Sequence, residues 1–154
     1  IELAELHKRE HAALADAMAP YANARVHRRD GFEMAHALCP PTPRRGLMLI
    51  DPSYEVKADY DALPGQVARL NRKWNVGVIC LWYPILADAR HRPMLAALEA
   101  RGLPGTLRHE LRFAPVRAGH RMVGSGVFVV NAPYGLSGAA ADLSSRWHAA
   151  GFDG

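Results

Sequence analysis

Residues 46–50, Gly46-Leu47-Met48-Leu49-Ile50, are apolar without a break and stop at Asp51-Pro52. So short an apolar run, cut off by a turn signal, is the pattern of a central parallel strand buried on both faces. Val76 to Leu86 and Gly126 to Val130 are apolar runs of the same kind. Around them lie helix-forming stretches, 58–72 and 88–101, the second stopping at Gly102. The same alternation opens the chain. Residues 1–6 read as a short strand, and residues 7–19 as an Ala- and Leu-rich helix whose buried stripe is Leu6, Leu14 and Met18. Ala24 to His27 reads as a strand, and Asp30-Gly31-Phe32 opens a helix that Pro40, Pro41 and Pro43 end. Thr106 to Phe113 alternates as a half-buried strand does, residues 114–126 are expected to be a mobile loop, and residues 137–150 a last helix. Strands alternating with helices predict an α/β sheet covered by helices on both faces. The last two strands have no helix between them, so they should form a hairpin that makes one sheet edge antiparallel.

The bulk properties bound the chemistry. The 154 residues fit one domain, and the apolar (49%) and charged (22%) fractions are those of a globular protein. A formal net charge of +4 is a mild basic bias, compatible with a polyanionic partner. The two cysteines, Cys39 and Cys80, have no metal-ligand spacing, which excludes a disulfide framework and a zinc site. No apolar stretch reaches the ~18 residues of a membrane span, and no signal peptide is legible. A cytoplasmic protein without a membrane partner is expected. The chain opens on Ile1-Glu2-Leu3-Ala4-Glu5-Leu6, with no initiator Met, and reads as starting in mid-strand, so it is expected to be part of a longer protein.

In open α/β sheets ligands bind outside the carboxyl ends of the strands, so what each strand delivers there matters. The first ends at Glu5, an ordinary strand-end acid or an acceptor for the two hydroxyls of a ribose. The second leads to Asp30, which can cap the next helix or accept from an adenine amino group while the Gly31 or Phe32 N–H donates to the ring. The third ends at Asp51-Pro52-Ser53-Tyr54. This is a common turn signal, but its chemistry suits an exocyclic adenine amine. That nitrogen is a poor nucleophile, because its lone pair is delocalised into the ring. To take a methyl group it must become pyramidal and then lose a proton. The Asp51 carboxylate and the Pro52 carbonyl, both accepting from the NH2, favour that geometry, and the fixed φ of Pro52 stiffens the turn. Tyr54 can stack on an extruded base. The fourth strand is read as ending at Leu81-Trp82-Tyr83-Pro84, whose two aromatics point to opposite faces and so divide between a base pocket and the core. Asn131-Ala132-Pro133-Tyr134, after the last strand, reads as a structural turn in preference to a pocket rim. His7 and His11 lack a third ligand and the His-Glu-x-x-His pattern, so no metal is expected. The chain has no Walker-type and no G-x-G-x-x-G motif, and Ser125 lacks the flanking pattern of a nucleophile elbow.

Taken in order, Glu5-Leu6-His7, Asp30-Gly31-Phe32, Arg44 through Glu55, Leu81-Trp82-Tyr83-Pro84 and Gly124-Ser125-Gly126 through Tyr134 closely resemble the bacterial 23S ribosomal RNA adenine-N6 methyltransferases of the J type, once labelled as proteins for catabolism of external DNA. The resemblance spans the whole chain and is strongest from Arg44 to Glu55. It implies a Rossmann-like fold that uses S-adenosylmethionine and no metal, with residues 1–154 as the C-terminal part of a single methyltransferase domain. It implies that Glu5 holds the ribose hydroxyls of the cofactor and that Asp30 and Gly31 contact its adenine. It makes Asp51 catalytic, together with Pro52 and Tyr54, and counts Asp51 also among the cofactor-binding residues. Ser53, Tyr54, Trp82 and Tyr83 are then the candidates for contact with the substrate base. The implied partner is 23S ribosomal RNA, bound by a monomer. The sequence departs from the family twice. Ser53 stands where members usually have Pro, and the family's first strand, Gly-rich cofactor loop and inserted helical subdomain are expected upstream and are absent from this chain. This piece is therefore expected to bind S-adenosylmethionine poorly. Two other readings are a DNA adenine-N6 methyltransferase, because Asp-Pro-x-Tyr serves both nucleic acids, and a non-catalytic nucleic-acid-binding protein. The latter would rest on Arg28, Arg29, Arg44, Arg45, Arg69, Arg72 and Arg121, which are scattered among acids and read mostly as solvated faces.

Overall fold

The structure, a computed structural model, describes residues 1–55, 57–114 and 119–152. It is a mixed α/β fold whose chain divides into two compact units, Ile1–Pro40 and Pro41–Gly154.

The first unit is a strand–helix–strand–helix. β1 (Glu2–Ala4) and β2 (Arg25–His27) pair in parallel, with Leu3 opposite Val26. Parallel strands need a crossover, which α1 (Lys8–Met18) supplies. α1 turns His11, Leu14, Ala15 and Met18 inward, but each stays half-buried and the helix buries no residue fully. Leu6, expected to join that stripe, is 60% exposed, because β1 ends at Ala4 and Leu6 falls in the link to α1. α2 (Gly31–Leu38) follows β2 and buries Met34.

The second unit is a four-stranded sheet with three helices. In chain order it runs β3 (Leu47–Ile50), α3 (Lys57–Lys73), β4 (Val78–Leu86), α4 (His91–Glu99), β5 (Leu107–Arg112), β6 (Met122–Val130) and α5 (Leu136–Ala149). The strand order is β3-β4-β6-β5. β3 and β4 are parallel, while β6 runs antiparallel to both β4 and β5. The expected hairpin of the last two strands is present, but its reversed strand lies inside the sheet, between β4 and β5.

Side-chain alternation sorts the two faces. Ile79, Leu81, Tyr83 and Ile85 of β4 are completely buried, together with Phe128 and Val130 of β6. Against them the core takes Leu63, Val67 and Leu70 from α3 and Met94, Leu95 and Leu98 from α4. The opposite face carries Cys80, Trp82 and Val127, which are only half-buried, and α5 packs there over β5. His109 and Ser144 hydrogen-bond at 2.9 Å, and the Trp147 indole N–H donates to the Arg112 carbonyl at 2.8 Å.

Two expectations need correction. β3 is an edge strand, not a central one, and it is open on one face: Leu47 and Leu49 are 69% and 66% exposed because α5 lies over the far side of the sheet. The loop expected over 114–126 is strand from Met122 onward; residues 115–118 lie outside the described residues. The glycines that suggested a loop serve the sheet. A β-carbon on Gly126 would lie 2.4 Å from the Tyr83 ring, and one on Gly124 2.6 Å from the Leu111 carbonyl oxygen, so Gly126 admits a neighbour's side chain and Gly124 the close approach of the β5 backbone. The apolar run read over Val76 to Leu86 does end where β4 ends, two residues past Pro84. The pairing of β4 with β6 continues, through an irregularity, to Leu86 opposite Met122.

Candidate functional site

In the first unit two carboxylates flank the same end of the parallel strand pair. Glu5 follows β1 directly. Its N–H donates to the His27 carbonyl at 3.1 Å, and its Oε1 accepts the His7 N–H at 2.7 Å, at the start of α1 where a negative charge is favourable. Asp30 is the N-cap of α2, its Oδ1 accepting the Glu33 N–H at 2.9 Å. Gly31 sits beside the end of β1, since a β-carbon there would lie 3.9 Å from Ala4 Cβ. Both acids are half-buried, and each has one oxygen engaged by a backbone N–H.

In the second unit the Asp-Pro-Ser-Tyr turn leaves the carboxyl end of β3. Asp51 is exposed as a residue, yet partial burial of its carboxyl pushes its pKa above the ordinary aspartate value. Among the described residues the carboxylate has no hydrogen-bond or ion-pair partner. Pro52 is half-buried, and the Ser53 hydroxyl lies 3.4 Å from Asp59 Oδ2.

Tyr54 closes the turn. Its φ of +56° is in the left-handed region, uncommon for a residue with a bulky side chain. That conformation folds the ring inward, leaving the residue 7% exposed. The ring lies 4.8 Å from Tyr60 and 6.2 Å from Trp82, centroid to centroid, and the hydroxyl donates to the Trp82 carbonyl. Burial, followed by the neighbouring Tyr60, Asp51 and Tyr83, holds the phenol well above its usual pKa, so it remains a donor. Tyr54 thus has its ring packed against protein and is not displayed for stacking.

Of the two strand aromatics, Trp82 is half-buried and its indole N–H donates to the Ser125 hydroxyl at 2.7 Å. Tyr83 is completely buried and has no place in a base pocket. Its ring passes over Gly126, stacks on His91 at 5.9 Å, and its hydroxyl donates to Glu110 Oε1 at 3.0 Å. Asn131-Ala132-Pro133-Tyr134 is a structural turn at the other end of the sheet. Asn131, at φ +54°, donates through Nδ2 to the carbonyls of Asn75 (3.0 Å) and Gly77 (2.8 Å).

Sequence reasoning missed what lies around Tyr60. This residue of α3 is 3% exposed, packs on Tyr54, and has a hydroxyl without a hydrogen-bond partner among the described residues. It lines a cleft of about 320 Å³ with Asp61, Arg90, Pro93 and Met94. Beyond the end of β4, Asp88 accepts from Arg90 Nε at 2.8 Å and from Arg121. Desolvation acts to raise the Asp88 pKa, but the two guanidinium groups outweigh it and hold the carboxyl below its ordinary value. Only the Tyr54/Tyr60 spacing hinted at this cluster in the sequence. Among the described residues no group of three or more His, Cys, Asp or Glu is placed to hold a metal ion, and no helix is long and apolar enough to cross a membrane.

The arrangement offers a partly desolvated carboxylate, unpartnered among the described residues, beside a rigid proline carbonyl in one unit, and in the other two strand-end carboxylates suited to hydroxyl or amine donors. Comparison with known proteins bears on what these serve. A family model described as "Ribosomal RNA large subunit methyltransferase D, RlmJ" matches residues 1–150. The curated "Ribosomal RNA large subunit methyltransferase J" of Escherichia coli (strain K12) is 37% identical over 136 residues, covering 88% of this chain and 49% of that protein. Its namesake in Haemophilus influenzae is 34% identical over 134 residues, covering 87% and 48%. The crystal structure of a protein from Legionella pneumophila superposes with a TM-score of 0.83 at 31% identity, covering 94% of this chain and 54% of that one. The chain therefore spans about half the length of the curated relatives it matches.

Proposed function

We propose a function from one established premise: the chain belongs to the family of ribosomal RNA large subunit methyltransferases described as RlmJ. The protein of which it spans a part transfers a methyl group to the N6 amine of an adenine in 23S ribosomal RNA. S-adenosylmethionine, when bound, supplies the methyl as an electrophilic sulfonium. No metal takes part, and the protein works as a cytoplasmic monomer.

The single observation carrying this reading is the state of Asp51. A carboxylate lifted in pKa by desolvation, with no cation or donor to satisfy it among the described residues, is poised to accept from a neutral N–H donor. The exocyclic amine of adenine is such a donor. Held by Asp51 and by the carbonyl of Pro52, the nitrogen is drawn out of conjugation, and its lone pair becomes available. Tyr54 supports the pair as an anchor: its buried ring and its hydrogen bond to the Trp82 carbonyl fix the end of the turn. Trp82 stays a candidate for base contact, and Ser53, which is exposed, another. Glu5 receives the ribose hydroxyls of the cofactor, while Asp30 and Gly31 receive its adenine. The engagement of one oxygen in each acid leaves the other for a ligand.

The exposed edge of β3 supports a further part of the reading. A parallel edge strand with two exposed leucines, and no partner on its outer side among the described residues, reads as the edge of an unfinished sheet. In the working protein another strand pairs with β3 and further structure covers Leu47 and Leu49, as in a Rossmann-like methyltransferase whose first strand, Gly-rich loop and helical insertion lie elsewhere in the protein.

The test is methyl transfer by the full-length enzyme carrying Asp51→Asn, on protein-free large-subunit RNA and on duplex DNA. The wild type should prefer RNA, and the variant should lose transfer by at least about a hundredfold, the usual scale for a lost acid–base group. Transfer surviving in the variant would sink the role of Asp51, and a preference for duplex DNA would sink the RNA assignment.

A further inference from the structure

The surface between the far ends of α3 and α4 holds a second cleft, of about 720 Å³, lined by Ala68, Asn71, Arg72, Ala97, Ala100 and Arg101 among others. Among the described residues no acid lines it. Its floor is of small residues, so the polar groups at its rim are reachable. Arg69, Arg72 and Arg101 are all exposed, and among the described residues none forms an ion pair with a carboxylate. Two of them converge: a β-carbon on Gly65 would lie 3.8 Å from Arg69 Nη1 and 4.0 Å from Arg101 Nη2. Like charges gathered without a counter-ion raise one another's energy unless an anion joins them. Beneath them Asn71 is 8% exposed, and its side-chain amide nitrogen has no hydrogen-bond partner among the described residues. A buried N–H donor with nothing to donate to costs stability that a ligand acceptor would restore.

We infer that this cleft binds the phosphate backbone of the RNA substrate, away from the reacting adenine. Arg72 and Arg101 are the phosphate contacts, and Asn71 lies behind them, its buried amide nitrogen reachable only if the side chain turns outward on binding. The inference rests on the RNA reading above and adds a second point of attachment to it. A rise of 1.5 Å per residue puts Asn71 about 20 Å along α3 from its start beside the Asp51 turn. That distance is several nucleotides of a strand, so the cleft holds the flank of the substrate while the turn holds the target. Arginine suits this task because its planar fork meets two phosphate oxygens at once.

The experiment is the affinity for fluorescein-labelled single-stranded RNA, measured by anisotropy across a salt series. Each phosphate contact on a single strand contributes about 0.7 to the salt slope, or about fivefold in affinity at about 0.1 M salt. The double variant Arg72→Gln/Arg101→Gln should therefore bind about 25-fold more weakly and lose about 1.4 from the slope. A charge-matched pair elsewhere, Arg9→Gln/Arg146→Gln, should change both far less. All four positions are exposed, so the fold should survive, and circular dichroism checks it. If the two double variants behave alike, net charge alone drives binding and the cleft is no site. Inorganic phosphate at constant ionic strength should leave RNA bound; displacement by it would show a free-phosphate site and overturn the inference. The two readings can fail separately. RNA binding lost in the cleft variant of a protein that methylates no RNA would sink the proposed function alone. Unaltered binding in the cleft variant of an active methyltransferase would sink this inference alone.

Discussion

Removing one oxygen atom from Tyr54 tests how the Asp51-Pro52-Ser53-Tyr54 turn is held. β3 pairs with β4 only as far as Ile50 opposite Leu81, and the next carbonyl, that of Trp82, accepts from the Tyr54 hydroxyl. Tyr54→Phe keeps the ring against Tyr60 and Trp82 but strands that carbonyl in a part-buried position. The lost hydrogen bond and the unpaired acceptor together cost about 1–3 kcal/mol, a large share of a domain's stability. Urea unfolding followed by tryptophan fluorescence reads this directly. A second signature lies in alkali. Burial holds the Tyr54 phenol above its ordinary pKa of 10.0, so the folded state keeps a proton that the unfolded state releases. The contribution of such a group is complete below the unfolded pKa and is lost as pH rises above it. Wild-type stability should fall above pH ~10 by about 1.4 kcal/mol per pH unit for each tyrosine held in this way, and Tyr54→Phe should fall less steeply by that amount. A variant within about 0.5 kcal/mol of wild type, the range of an ordinary surface change, with an unchanged alkaline slope would refute the anchor.

Asp51→Asn should leave the urea midpoint unchanged or raised while methyl transfer is lost; desolvation lifts the Asp51 pKa, so its charge costs the fold stability as pH rises through that value. A lowered midpoint would show that the carboxylate has a structural partner. Gly126→Ala should destabilise by about 2–4 kcal/mol in guanidinium, combining overpacking against the Tyr83 ring with loss of the Tyr83–Glu110 hydrogen bond; a cost below about 1 kcal/mol, the low edge of overpacking, would mean the ring moves aside freely. Calorimetry on the 154-residue chain should find S-adenosylmethionine bound weakly or not at all, and micromolar affinity would contradict the proposed need for structure beyond β3.

The alternation of strands and helices in the second unit was legible because its longer elements, such as the nine-residue β4 and the 17-residue α3, show their own period. β4 displays it well, with Ile79, Leu81, Tyr83 and Ile85 all fully buried on one face. Strand order was not legible. β6 enters between β4 and β5 because of pairing between residues far apart in the chain, and local patterning carries no record of partners. The segment 114–126 was misread for a related reason. Gly124 and Gly126 suggest a loop when viewed alone, and only the Leu111 carbonyl pressed against the first and the Tyr83 ring over the second show why a strand needs glycine there. Asp30 was legible as a helix cap because capping is local, and its Oδ1 does accept from Glu33.

The residues that were hardest to place are those whose role depends on a partner outside their own element. Leu47 and Leu49 have the sequence of a buried strand and the exposure of a surface one. The two facts agree if sequence records the environment a strand is selected for, and exposure records what this stretch of chain can cover by itself. Tyr54 shows the same tension at smaller scale. As the aromatic of an Asp-Pro-x-Tyr turn it reads as a surface for a base, yet its left-handed backbone turns the ring inward onto Tyr60 and Trp82. A residue held in a strained conformation by three separate contacts is there for what it holds. Here that is the start of the turn, where the Asp51 carboxylate and the Pro52 carbonyl stand, and on the function proposed above their direction is what a held adenine amine would depend on.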